Sequence, residues 1–200
     1  MTVMPSLQVL ARRLGEACDT QHDRLRLTLP YHLQITMQYR RHYHQGASYF
    51  FTINLADRSS DLLIKEIDTL RFAFKTVKQR HPFRIDAIVI LPDHLHMLCT
   101  MPSEDADYSE RIKLIKYYFS YRVAKTERIS KSRRKKGERG IWQRRFWEHC
   151  IRNEADYHAH VNYIHMNPVK HRYVERVQDW RYSSFHRFVA DGLLPVDWGD

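Results

Sequence analysis

The sequence predicts an α+β domain, a small antiparallel sheet with helices packed on one side of it. Three observations carry this. Short β-branched or alternating runs recur between longer segments with helical spacing. Pro92-Asp93 punctuates two strand-like runs with a tight turn, which makes them antiparallel neighbours. The element order, β-α-β-β-α-β-α, has too few alternating βα units for a doubly wound parallel sheet.

Tyr49 to Leu55 is rich in aromatic and β-branched residues and reads as the first strand. Ser59 or Ser60 can cap the helix that follows, Asp61 to Arg80, where Leu63, Ile67, Leu70, Phe74 and Val77 repeat at helical spacing. His81-Pro82 ends it. Phe83 to Leu91 is a second strand. It turns wholly apolar from Ala87, as a buried strand end does. His94 to Met101 alternates and returns antiparallel. A second helix runs from Asp107 to about Glu127 on Tyr108, Ile112, Ile115 and Phe119. Ser130 to Gly140 is a basic loop, Arg145 to Ile151 a fourth strand, and Asn153 caps a third helix, Glu154 to Asn167, which Pro168 stops. Trp180, Tyr182, Phe185, Phe188 and Trp198 are expected to pack a C-terminal segment onto the body. This order corresponds to a ferredoxin-like arrangement.

The 200 residues suit one domain, and 43% hydrophobic content is enough for a core. Residues 1–36 show no sustained period and read as a loosely ordered extension or an upstream start, leaving 37–200 as the domain. No apolar run approaches a membrane span, and no secretory signal opens the chain. Three scattered cysteines suit neither a disulfide scaffold nor a zinc site, so a reducing cytoplasm is expected.

The net charge is +10 and unevenly placed: 14 Lys and Arg fall between Arg111 and Arg145, against Glu127 and Glu138 alone. A concentrated basic region on a folded chain points to a polyanion, nucleic acid foremost. Arg40, Arg41, Lys113, Lys116, Arg133, Arg134, Lys135, Lys136, Arg144 and Arg145 are the candidate phosphate-binding residues. Tyr117, Tyr118, Tyr121, Trp142, Phe146 and Trp147 lie among or beside them and either stack on bases or fill the core. A solvated helix face with a basic loop is the other reading of the same charges.

His94 and His96 flank Leu95 on a strand, so both imidazoles point to one face, while Leu95, Met97, Cys99 and Met101 take the other. The pair suits an open site for a divalent ion, or is simply a half-exposed strand face. On the third helix Tyr163 and Asn167 stand four apart and share a face, with His160 one turn earlier. A tyrosine hydroxyl beside a metal-bound electrophile can act as a nucleophile, whereas an aromatic at the rim of the core needs no such role.

Four segments occur in order: "LPDHLHML" (91–98), "IWQRRFWEHCIRNEADY" (141–157), "YIHMNPVKH" (163–171) and "DWRYSSFHRFV" (179–189). In these the chain resembles the REP-associated tyrosine transposases, relatives of the single-tyrosine HUH transposases. The resemblance runs from about Met37 to the C-terminus. It implies an HUH nuclease fold acting on single-stranded DNA with hairpins. It further implies that His94 and His96 bind Mg²⁺ or Mn²⁺, that Tyr163 is the nucleophile, and that Asn167 assists the metal. In the broader transposase group that last position is often Gln, so His165 or His160 is an alternative third ligand. The implied reaction joins Tyr163 to a 5′ phosphate and frees a 3′ hydroxyl, which allows rejoining. A non-catalytic nucleic-acid-binding protein on the same fold and a metal-dependent hydrolase using water are the competing readings. Monomer and homodimer both stay open.

Overall fold

The computed structural model describes residues 43–199. The expected extension over 1–36, and Arg40 and Arg41, lie outside the described residues. The elements are β1 (Ser48–Asn54), α1 (Leu62–Lys65), α2 (Ile67–Arg80), β2 (Arg84–Ile90), β3 (His94–Thr100), α3 (Tyr108–Arg122), α4 (Lys131–Lys135), β4 (Trp147–Cys150), α5 (Glu154–Lys170), a 3₁₀ turn (Val177–Asp179) and α6 (Phe185–Ala190). The four strands form one antiparallel sheet in the order β2-β3-β1-β4. The expected α+β class and antiparallel sheet are both present.

Period-2 alternation assigns the two faces of the sheet. On one face Phe51, Ile53, Leu95, Met97 and Cys99 form the larger core with Leu70, Ala73, Phe74 and Val77 of α2 and Ile112, Ile115 and Phe119 of α3. On the other face Phe50, Ala87, Val89 and Leu98 meet Val161 and Ile164 of α5. Helices α2 and α3 therefore share one side, as expected, but α5, the longest helix described, covers the opposite side. The reason is visible in β2, whose apolar run places side chains on both faces, and each needs a cover.

Several boundaries differ from the sequence reading. Glu66 leaves helical geometry and divides the expected helix 61–80 into α1 and α2; its carboxylate accepts the Thr69 hydroxyl proton. α3 stops at Arg122 because Val123 is extended. Arg139 then donates to the carbonyls of Ser120, Val123 and Ala124 while pairing with Glu127, so a guanidinium from the basic loop closes the helix end. The loop itself carries α4, capped by Ser130. Pro168 does not stop α5, which continues to Lys170. A proline this near the end removes one helical N–H and keeps an α-compatible φ.

The C-terminal segment covers the β2 edge. Ile90 N–H donates to Tyr182 O, Ser184 N–H to Ile88 O, and the Trp180 indole to Ile90 O. An otherwise open row of backbone groups is thereby satisfied.

Candidate active site

Asp93 ends the turn that delivers β3, and both histidines project toward α5. Each imidazole is anchored through Nδ1. That of His94 lies 2.7 Å from Asp93 Oδ1, and that of His96 lies 2.9 Å from Thr52 Oγ1, directly across the strand pair. An Nδ1–H donated to the Asp93 carboxylate leaves the lone pair of His94 on Nε2, and the Thr52 hydroxyl can accept from Nδ1 of His96 in the same tautomer. Arg58 Nε pairs with Asp93 Oδ2 at 2.7 Å, which fixes the carboxylate from its other side. The two rings stand 5.0 Å apart and nearly perpendicular. Burial pushes the basicity of both down; at His94 the Asp93 carboxylate partly opposes it, and at His96 the shift is large. Both are therefore neutral at pH 7, the form that binds a metal. His96 Nε2 is buried without a hydrogen-bond partner among the described residues.

α5 starts where Asn153 Oδ1 accepts the Asp156 N–H, and Val161 and Ile164 dock it on the sheet. That rotation turns Tyr163 toward the histidines. The Tyr163 ring lies 5.1 Å from His96, edge-on, and 5.8 Å from Phe50. Lys170 Nζ sits 5.5 Å from the centre of the Tyr163 ring. Asn167, one turn beyond Tyr163, is fully buried, and neither atom of its amide finds a partner among the described residues. A buried amide left so is costly.

His165, one alternative third ligand, belongs elsewhere. Its Nε2 bonds to Ser184 Oγ at 3.1 Å and its ring packs among Phe185, Phe188 and Trp198. His160, the other, is held by Asp156. A third histidine, His171, comes nearest the pair, with its ring 5.3 Å from His94. It caps α5, eight residues after Tyr163, and reaches the site because the helix runs through Pro168.

The basic residues are more dispersed than the sequence suggests. Arg111 is buried and bonded to Asp105 and to Pro82 O. Lys113 pairs with Glu110, and Lys116 reaches Gln143 O; both stand on α3, across the sheet from α5. Arg133 donates to Arg139 O, and Arg144 pairs with Glu138. Arg134, Lys135, Lys136 and Arg145 are exposed. Among the aromatic candidates Trp142 is buried, while Tyr117, Tyr121 and Trp147 are exposed.

Sequence reasoning misses Asp93, Arg58, Thr52, Lys170 and His171. Asp93 reads there as a turn residue only, although its place beside His94 in "PDHLH" is a signal. Lys170 and His171 share the Tyr163 face at helical spacing once the helix is extended.

The family described as Transposase IS200 like matches residues 27–167. The chain belongs to this family. Within it, the chain is 47% identical over 161 residues to the REP-associated tyrosine transposase of Escherichia coli K12, covering 80% of this chain and 90% of that one. It is 49% identical over 162 residues to a putative REP-associated tyrosine transposase of Haemophilus influenzae Rd, covering 80% and 92%. A solved structure described as a REP-associated tyrosine transposase bound to a REP hairpin aligns with TM-score 0.71 and 46% identity, over 82% of this chain and 91% of that one. This chain is thus a tyrosine transposase of the REP-associated branch.

Proposed function

We propose that this transposase cuts and rejoins single-stranded DNA at hairpin-bearing sites through a covalent 5′-phosphotyrosine at Tyr163. The observation that carries the reading is the approach of the Tyr163 ring to His96, whose Nε2 is buried and unpartnered among the described residues. The two neutral imidazoles and the Asn167 amide, which has no partner among the described residues, would serve as donors to a divalent cation, Mg²⁺ or Mn²⁺. When bound by His94, His96 and Asn167, that ion supplies Lewis-acid polarisation of the scissile phosphate. Asp93 holds the His94 ring, and Thr52 that of His96. Tyr163 loses its phenolic proton to solvent and its oxygen attacks phosphorus. The bond to the 3′ oxygen breaks, and that oxygen takes up a proton. Lys170 holds a positive charge 5.5 Å from the centre of the Tyr163 ring, which favours the phenolate form. The phosphodiester bond energy stays in the link to tyrosine, so a 3′ hydroxyl can reverse the step without a nucleotide cofactor. The tyrosine and the histidine pair of a single chain lie side by side, which supports assembly of the site in cis.

The hairpin in the solved relative supports a hairpin substrate here, with Arg134, Lys135, Lys136 and Arg145 neutralising phosphates. With a DNA substrate and bacterial relatives, we infer that the enzyme works in the cytoplasm. The test is Tyr163→Phe incubated with Mn²⁺ and a hairpin oligonucleotide carrying single-stranded flanks. We expect binding to persist and cleavage and adduct to vanish. Cleavage that persists in this variant would refute the assignment; a wild-type protein that binds but never cuts would favour the non-catalytic alternative.

A further inference from the structure

We propose that Trp147, on the edge strand β4, is a stacking platform for an unpaired base of the DNA strand next to the tyrosine. The inference rests on the function proposed above and adds a substrate-positioning residue to it. Among the described residues β4 pairs only with β1, so its outer edge is open. Trp147 leaves 51% of its surface exposed, a large apolar area to hold in water.

The ring is nevertheless firmly backed. It lies parallel to His149, at 5° and 6.0 Å, and edge-on to Phe50 at 5.7 Å. His149 in turn stacks on His160 at 4.8 Å. One carboxylate holds both imidazoles: Asp156 accepts from His149 Nε2 at 2.8 Å and lies 3.1 Å from His160 Nδ1. These three residues are close enough to ligate an ion. The two imidazole rings, however, lie nearly parallel, at 18°, and each already turns a nitrogen to the Asp156 carboxylate. The arrangement suits a hydrogen-bonded brace. It holds the His149 ring that lies parallel to Trp147, and a preordered ring forfeits little entropy when a base lands on it.

Position makes the platform useful. Phe50 packs against both Trp147 and Tyr163, so a single side chain separates the platform from the nucleophile. Arg145 and Arg152, both exposed, flank β4 and can engage the phosphates of the same strand. Stacking of this kind accepts any base, because each has a π-face.

The test uses the intact chain carrying Tyr163→Phe, which keeps the DNA whole. Two probes are compared by fluorescence anisotropy, a DNA hairpin with a single-stranded thymidylate tail and the same hairpin without it. Adding Trp147→Ala is expected to weaken binding of the tailed probe roughly tenfold or more, with the blunt hairpin little changed. Trp147→Phe should restore most of the affinity, and the salt dependence should keep its slope because no phosphate-binding charge is removed. Unchanged affinity for the tailed probe, equal weakening on both probes, or failure of Phe to rescue at unchanged melting temperature would each overturn the proposal. These outcomes are separate from the cleavage test. If Tyr163→Phe still cuts DNA the functional reading fails, whereas normal binding by Trp147→Ala beside an inactive Tyr163→Phe removes the platform alone.

Discussion

The Tyr163 ring meets the His96 ring edge-on, 5.1 Å between centres, although 67 positions separate them in the chain (163 − 96). Helix α5 and strand β3 bring the rings together, and Val161 and Ile164 set the angle by docking on Phe50, Val89 and Leu98.

Replacing His94 and His96 together with Ala should abolish cleavage while leaving hairpin binding largely intact. Mn²⁺ should raise the melting temperature of the parent and not of the variant, because binding to the folded form stabilises it by mass action. An equal Mn²⁺ shift in both proteins would place the ion elsewhere.

Asp93→Asn should weaken Mn²⁺ binding about 10- to 100-fold, the usual cost of removing the carboxylate behind a ligating histidine. Titration calorimetry measures it directly. Arg58→Ala should act in the same direction and more weakly, since Arg58 meets Asp93 Oδ2 at 2.7 Å and approaches His94 Nδ1 only to 3.3 Å.

Burial pushes the His165 imidazole down to about 4. In the unfolded chain the ring takes a proton near pH 6.5, so this group favours unfolding as pH falls from about 6.5 to about 4 and has no further effect outside that window. Its full contribution is about 3 kcal/mol. Denaturant melts between pH 4 and 7 should show a flatter pH dependence for His165→Gln than for the parent. The remaining slope belongs to His94, His96, His160 and His171, which burial also shifts downward, and toward pH 4 to Asp105, Glu127 and Asp156, whose carboxyls are held below their usual range.

The cations between 111 and 145 should separate into two groups. Arg139→Ala should lower stability by about 1–3 kcal/mol, because it strands the carbonyls that end α3 and leaves Glu127 without its partner. Changing Arg134, Lys135 and Lys136 together to Ala should leave melting unchanged. It should lower the salt dependence of DNA binding by about one unit of slope for each phosphate no longer neutralised.

What the sequence showed of this molecule, and what it hid, follows from the range of each signal. Strict alternation put His94 and His96 on one side of β3 and Leu95, Met97 and Cys99 on the other. Helical spacing aligned Tyr163 with Asn167. Those are local periodicities, and they hold. Which side of the sheet α5 covers depends on packing against Phe50 and Val89, a long way off in the chain. The apolar stretch Ala87–Leu91 did hint that both faces of β2 are covered. Net charge could not separate Arg111 and Arg139, engaged in the fold, from Arg134 and Lys135 in solvent. Pro168 misled because a proline near a helix end costs little. Its tolerance lets Lys170 and His171 reach the site.

The most direct measurement is the chemical identity of the protein–DNA link. The wild-type transposase is incubated with Mn²⁺ and the tailed hairpin, and the denatured, digested adduct is sequenced by mass spectrometry. The structure predicts one modified residue, Tyr163, carrying a 5′-phosphorylated nucleotide, with a free 3′ hydroxyl on the released strand. Cleavage that yields a free 5′ phosphate and no adduct, or an adduct on any other tyrosine, would contradict it.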